Sequence, residues 1–327
     1  MSITSPAMVG VALALLPWQA ALSQADTVPP AGVTERAFTF QSGALELAGT
    51  LTLPEGVERP PITVIVAGSG PTDRNGNQGP RLRTNTYAQL AWGLAQEGIA
   101  SLRYDKRVLP ATKGPISLPD LSFDDFVTDV EAAANAVRAD YAKVFVLGHS
   151  EGGSLAIRAA SRGLGVDGLV LVATPGRDMV ALLHEQLSRQ LDTVTLVQFD
   201  SALARYLRNE EPGDLPPALR ALVLPVNRRF MQGWASLDPV RELSAVRAPV
   251  LIVQGDKDIQ VRVRDAEALK AAKPDAQLFV VPGASHTLKA AADTLIGIQL
   301  GSYIDPTLPL VDGIVDSIAG FVKGVSR

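Results

Sequence analysis

One serine in this chain is enclosed by glycines at the point where an apolar strand pattern gives way to a helical one. Residues 144–157 read VFVLGHSEGGSLAI, and within them Gly148-His149-Ser150-Glu151-Gly152 has the form G-x-S-x-G. A sharp strand-to-helix turn holds its central residue at strained dihedrals and brings neighbouring backbone so close that only glycines fit beside it. Such a turn lifts a hydroxyl above the end of a sheet, at a helix N-terminus whose partial positive charge favours a developing oxyanion. The chemistry this points to is nucleophilic attack by Ser150 on a carbonyl carbon.

A serine hydroxyl is a poor nucleophile until a base takes its proton, so one of the 3 histidines must serve. His149 lies inside the turn, with its side chain expected to point away from Ser150, and His184 sits in the helical stretch ALLHEQL; both read as structural. His286 stands in PGASHTL, just past the last strand pattern, where a loop opens at the same sheet edge as the serine turn. It is the expected base. An imidazole in this role needs a carboxylate to fix its tautomer and steady the imidazolium form. QGDKDIQV offers Asp256 and Asp258, one as that partner and the other as a turn or capping residue.

The elements that must position these groups follow from apolar patterning. Compact runs without alternation at 62–67, 99–105, 143–148, 168–173, 249–255 and 276–283 suit strands covered on both faces. Ahead of them, Leu45, Leu47, Leu51 and Leu53 alternate, the period of a half-buried strand. Helical stripes lie between, one through Tyr87, Leu90, Ala91 and Leu94, another through Phe123, Phe126, Val127, Val130, Ala134 and Val137. Strand alternating with helix implies a mostly parallel sheet. From 174 to 247 the alternation stops and an amphipathic helical cap is expected, with Val180, Leu183, Leu187, Leu191 and Val194 on one face.

The expected organisation is therefore a leader at 1–25, a linker at 26–34, a core in two parts (35–173 and 248–327) and the cap at 174–247 between them. A closing helix is expected around VDGIVDSIAGFVKG. The leader rests on AMVGVALALLPWQAALSQA, an apolar run ending in small residues at Ala21, Ser23 and Ala25, although no Lys or Arg precedes it. The run is short for a membrane span and no second one follows, so a secreted or periplasmic protein without a stable membrane span is expected.

Composition bounds the function. With 327 residues, 46% hydrophobic and 20% charged, the chain has the make-up of a globular α/β protein, and a net charge of −4 gives no basic footprint for nucleic acid. The absence of cysteine excludes thiolate metal sites, iron–sulfur clusters and a cysteine nucleophile. No motif for a metal or an organic cofactor is present.

GHSEGG, QGDKDIQV and GASHTL, in that order and in those strand contexts, resemble the α/β-hydrolase superfamily. The resemblance implies an α/β-hydrolase fold: a mostly parallel central sheet flanked by helices, with an inserted helical cap. In that family the acid commonly sits in a G-x-x-D-x-x-V frame, which fits Gly255, Asp258 and Val261 and so prefers Asp258 to Asp256. AGSGPTDRNGN (67–77) and LRYDKR (102–107) are similar to segments of a bacterial group of carboxylesterases called EstD-like, related to serine aminopeptidase-like hydrolases. The glycine-rich turn AGSGP follows a strand where a second oxyanion donor is expected, and the resemblance suggests the backbone N–H groups of Ser69 and Glu151. Many superfamily members carry a His-Gly pair where this chain has Ala67-Gly68, which changes the hole's surroundings but keeps backbone donors.

What the resemblance implies is a Ser150-His286-Asp258 serine hydrolase acting on a small-molecule ester through an acyl-enzyme, with no cofactor. A serine aminopeptidase or a thioesterase would use the same groups, and a binding protein that had lost turnover would keep the fold. Glu185, Glu210 and Glu211 are candidates for the carboxylate that a peptidase needs for its substrate's amine. Asp73, Arg74, Asp105, Lys106 and Arg107 read as an internal ion-pair network, with a pocket-floor role as the alternative. Phe199, Tyr206, Phe230, Met231 and Trp234 read as cap packing, with a pocket lining as the alternative.

Overall fold

The computed structural model describes residues 28–80 and 82–326; the expected leader at 1–25 lies outside them. An 8-stranded sheet runs through the molecule in the order β1-β2-β4-β3-β5-β6-β7-β8. β1 (Val33–Ser42) and β2 (Leu45–Pro54) form an antiparallel hairpin, and β2 is also antiparallel to β4 (Ala100–Tyr104). From β4 onward every pairing is parallel, through β3 (Ile62–Val66), β5 (Val144–His149), β6 (Gly168–Val172), β7 (Val250–Gly255) and β8 (Gln277–Val281). Neighbouring residues on a strand bury on opposite faces. Val64 and Val146 join one apolar cluster while Ile65 and Leu147 join the other.

Helices cover both faces. α1 (Thr86–Gln96) supplies Tyr87, Leu90 and Leu94 to one cluster, joined by Ile318 and Phe321 of α11 (Ile314–Ser326). On the other face lie α2 (Phe123–Val137), α3 (Glu151–Ser161) and α9 (Val263–Ala272). Ser122 starts α2 with a full capping box, its side chain accepting from Asp125 N–H while Asp125 accepts from Ser122 N–H. The strand order reverses between β3 and β5, and in parallel sheets such a reversal opens a crevice at the strands' carboxyl ends. The loops after those two strands carry Ser69 and Ser150.

Three expectations change. The edge strand β1 begins at Val33, two residues inside the stretch expected as linker at 26–34. β8 is not covered on both faces: it is the sheet's other edge among the described residues, and Phe279 on it is exposed. The single cap stripe is also broken. Between β6 and β7 the chain forms α4 (Met179–Ser188), α5 (Thr193–Leu207), α6 (Pro217–Arg220), α7 (Arg228–Ala235) and α8 (Pro239–Ser244). Asp192 restarts the helix by accepting from Thr195 N–H at 2.9 Å, which resets the helical phase. Leu183 and Leu187 are buried as expected, but Val180 and Val194 face solvent, and Met179 and Leu182 take the inner positions.

Candidate active site

The turn after β5 shows why its residue types are needed. Ser150 has φ 55° and ψ −123°, a conformation that costs a non-glycine residue energy and persists only where surroundings enforce it. Its N–H donates to Val172 O at 2.9 Å and its carbonyl accepts from Gly153 N–H at 2.9 Å. A Cβ on Gly148 would lie 2.3 Å from Gly152 O, and one on Gly152 would lie 2.3 Å from Val66 O. The backbone could not close around Ser150 with larger residues there.

On the loop after β8, His286 Nδ1 bonds Asp258 Oδ2 at 2.8 Å, and both side chains are buried. Asp258 is held by the loop after β7: its Oδ1 accepts from the N–H groups of Gln260 and Val261 at 2.7 and 2.9 Å, and its Oδ2 also accepts from Gln254 Nε2 at 3.2 Å. Because the carboxylate occupies Nδ1, the ring presents Nε2 as its remaining nitrogen. His286 and Ser150 line the same cavity, of about 80 Å³, at the carboxyl end of the sheet. Asp256 does something else; its Oδ1 accepts from Gly283 N–H at 2.7 Å and clamps the turn that precedes His286.

The N–H groups of Ser69 and Glu151 donate to no protein group among the described residues. Gly68 N–H, by contrast, donates to Tyr87 Oη at 2.9 Å. From there a chain of hydrogen bonds crosses the site. His149 Nε2 lies 2.9 Å from the His286 carbonyl, which can only accept, so that nitrogen carries the proton. His149 Nδ1 then accepts from Tyr87 O–H at 2.9 Å. Burial pushes the His149 pKa from 6.5 down to about 3, with the nearby His286 adding to the effect, so the ring stays neutral and keeps this tautomer. Tyr87 and His149 thus tie the loop bearing Ser69 to the loop bearing His286. Tyr87 read as a core residue in the sequence; its hydroxyl gave no signal.

The charged run after β4 divides its attention among three elements. Asp105 pairs with Arg74 of the Ser69 loop at 2.6 Å, Arg107 with Asp129 of α2 at 2.7 Å, and Lys106 with Glu151 at 2.6 Å. Lys106 and Glu151 are both buried, so this pair fixes the residue immediately after Ser150. Among the described residues Asp73 makes no ion pair; its Oδ1 accepts from the N–H groups of Asn75 and Asn77, and burial raises its pKa. His184 is on the surface, 2.8 Å from Asp200.

No residue of 174–247 lines the cavity. Its lining comes from described residues between 68 and 87 and from His149, Ser150, Gln260, His286, Thr287 and Tyr303. Tyr303 lies on α10 (Ile296–Ile304), a helix the sequence reading did not single out. The apolar run IGIQLGSYI was its available signal. Phe230 and Trp234 instead pack on Phe123 of α2, with ring centroids 5.7 and 6.3 Å apart.

A parallel sheet that reverses order beside a strained serine turn, with a histidine and a buried carboxylate on the two loops that follow, defines the α/β-hydrolase class. The model of the alpha/beta hydrolase family matches residues 64–293, most of the chain, and the chain belongs to that family. Among curated proteins it is similar to Esterase EstD of Thermotoga maritima, with 29% identity over 74% of this chain; it spans 56% of that relative's length. It is also similar to the N-formylmaleamate deformylase of Pseudomonas putida, 28% identical over 62% of this chain and 79% of the relative. Among solved structures, a hypothetical protein from Pseudomonas aeruginosa superposes with a TM-score of 0.60 at 20% identity, covering 94% of this chain and 99% of that one. A proline iminopeptidase from Mycobacterium smegmatis gives 0.56 at 20% identity, over 89% of this chain and 99% of its own. These two likenesses show the fold.

Proposed function

We propose that the protein is a serine carboxylic ester hydrolase with Ser150 as nucleophile, His286 as general base and acid, and Asp258 as the group that orients and charges-balances the imidazole. The backbone N–H groups of Ser69 and Glu151 serve as oxyanion donors. One observation carries this reading: His286 is locked to Asp258 through Nδ1 while it shares a cavity wall with a strained Ser150 beside two unspent amides. The similarity to Esterase EstD supports the ester as substrate.

Ser150 Oγ attacks the ester carbonyl carbon as its proton passes to His286 Nε2. The tetrahedral oxyanion sits against the two N–H groups, and loss of one comparable donor costs about 10²–10³ in rate. Collapse breaks the carbon–oxygen bond to the alcohol, which leaves with the proton from His286. Water then gives a proton to His286 and attacks the acyl carbon. The acid departs and Ser150 recovers its proton.

An ester fits better than a peptide with a free amine. Among the described residues no Asp or Glu lines the cavity. Glu185 is held by Arg177, Arg189 and Arg264, Glu210 pairs with Arg208, and neither is placed to receive an ammonium group. The leader pattern at 1–25 supports export to the periplasm or the medium, and no described helix is long and apolar enough to cross a membrane. The deciding experiment is fluorophosphonate labelling of the intact protein and of Ser150→Ala, together with turnover of p-nitrophenyl acetate and of aminoacyl anilides. Labelling that needs Ser150, with acetate ester turned over far faster than anilide, is expected. Equal labelling of both proteins, or faster anilide cleavage, overturns the reading.

A further inference from the structure

The polar groups around the cavity are not equally available to a ligand. Thr72 Oγ1 donates to Ser69 O and accepts from Gln78 Nε2, and Thr84 Oγ1 donates to Gly76 O at 2.8 Å. Thr86 Oγ1 donates to Thr287 O at 2.9 Å, while the Thr287 hydroxyl is 3.1 Å from that of Ser285. Gln78 spends its amide protons on Ser69 O and Thr72, and its Oε1 is closed off from solvent. These groups hold the wall together and have little left to offer.

Three groups remain. The Ser69 hydroxyl, Gln260 Oε1 and the Tyr303 O–H hydrogen have no protein partner among the described residues, and all three residues line the cavity. They come from three separate elements: the loop after β3, the loop after β7 and α10. Gln260 and Tyr303 also fix one another, since Gln260 Nε2 donates to Tyr303 Oη at 2.7 Å. In this arrangement Oε1 is left as an acceptor and the Tyr303 hydroxyl as a donor. The backbone of Gln260 is anchored independently, its N–H donating to Asp258 Oδ1 at 2.7 Å.

Among the described residues no Asp, Glu, Lys or Arg lines the cavity. Arg74 pairs with Asp105, Lys106 pairs with Glu151, and Asp258 has its oxygens filled by four donors. A cavity with unspent neutral donors and acceptors but no charged side chain on its described lining rewards a ligand bearing hydroxyls, and it gives an alkyl group of the same size nothing for the water those groups lose. An ammonium or a carboxylate finds no counter-charge among the described lining residues.

We infer that Gln260 and Tyr303 are specificity-determining residues and that the substrate is a small carboxylic ester of a neutral, hydroxyl-rich alcohol, a sugar or a polyol. This rests on the serine ester hydrolase reading. Gln260 Oε1 accepts from a substrate hydroxyl, the Tyr303 hydroxyl donates to a neighbouring one, and the Ser69 hydroxyl serves the side nearest the oxyanion donors.

The test compares, on the full chain, acetate release from a methyl 6-O-acetyl-glycoside and glycerol monoacetate with release from cyclohexyl acetate, butyl acetate and choline acetate. p-Nitrophenyl acetate is the reference for Ser150-dependent turnover. The sugar and polyol acetates are expected to exceed the alkyl acetates of matching size by roughly tenfold or more in kcat/KM, with choline acetate the poorest. Tyr303→Phe and Gln260→Met should each cut that preference by roughly tenfold, mostly through KM. The rate of fluorophosphonate labelling at Ser150 checks that each variant is folded. Alkyl acetates that match the sugar acetates, with p-nitrophenyl acetate still hydrolysed through Ser150, overturn this inference and leave the ester reading standing. A preference untouched in both folded variants removes Gln260 and Tyr303 from the role. No ester turnover at all removes both the inference and the reading beneath it.

Discussion

The helices between β6 and β7 and the loops that wall the cavity are held in place by opposite means. In the first region Phe199, Tyr206 and Met231 are wholly buried, and Phe230 and Trp234 lie against aromatic rings of α2. In the second, side chains hold backbone: Asn77 Oδ1 accepts from the N–H groups of Thr84 and Asn85, Asp73 Oδ1 from those of Asn75 and Asn77, and Ser285 Oγ donates to Lys289 O. Apolar contact is non-directional and tolerates adjustment, whereas a hydrogen-bonded loop has one geometry in which its donors and acceptors all meet. The difference teaches that the conspicuous aromatic helices stabilise this molecule while the unremarkable polar loops shape the cavity beside Ser150.

The comparison can be sharpened or broken by substitutions on each side. Ser150→Ala should give the largest loss, roughly 10⁶ in kcat toward p-nitrophenyl acetate, because a nucleophile and its base act as a unit. Asp258→Asn should lower kcat by roughly 10⁴, since an amide at that position favours the wrong tautomer of His286, while Asp256→Asn changes kcat only a few-fold. Steady-state kinetics on the three proteins decide whether the buried carboxylate or the turn clamp is the working acid.

The buried His149 makes the loop side sensitive to acid. It is neutral in the fold with a pKa of about 3 and takes a proton near 6.5 when unfolded, so its contribution is complete above about pH 6.5 and drains away as the pH falls toward 3. Between pH 7.5 and 4.5 the loss should be on the order of 2–3 kcal/mol, read from urea unfolding as the part that vanishes in His149→Gln. An identical pH slope in that variant would falsify the assignment.

A smaller effect is expected from Tyr87→Phe, which removes both the acceptor of Gly68 N–H and the donor to His149. A fall in kcat of about tenfold with little change in KM, rather than a uniform loss through unfolding, would mark Tyr87 as a positioning residue. Smallest of all should be the effect of Trp234→Ala on turnover. It should cost about 3–5 kcal/mol of stability, measured by denaturant titration, yet leave kcat/KM of the folded fraction within about threefold. A large loss of kcat/KM at unchanged stability would place the helices between β6 and β7 in the reaction after all.

Much of the fold was legible because strand and helix periodicity are local. The runs at 62–67, 143–148 and 249–255 became β3, β5 and β7 with ends shifted by no more than about two residues. The cap stripe misled at Asp192, where a capping side chain restarted the helix and turned Val194 outward. β8 was apolar enough to pass for a central strand, although its position at the edge depends on what lies beside it. Of the candidate site, the serine turn was plain and His286 followed from its place after a strand. Tyr87, Gln260 and Tyr303 gave no sign, since nothing about a tyrosine in an apolar stripe or a glutamine in a loop says where its polar end points.

The sequence by itself determined that a serine stands at a glycine-bounded strand-to-helix turn, because steric demands on the backbone are written in the neighbouring residues. Only the tertiary structure decided that Asp256 clamps the turn before His286, that the amide of Gly68 is taken while that of Ser69 is not, and that α10 walls the cavity. Those outcomes turn on partners 19 to 137 residues apart, such as Gly68 with Tyr87 and His149 with the His286 carbonyl. A hydrogen bond is made or lost over tenths of an ångström, and such distances exist only once the sheet has set its strands side by side.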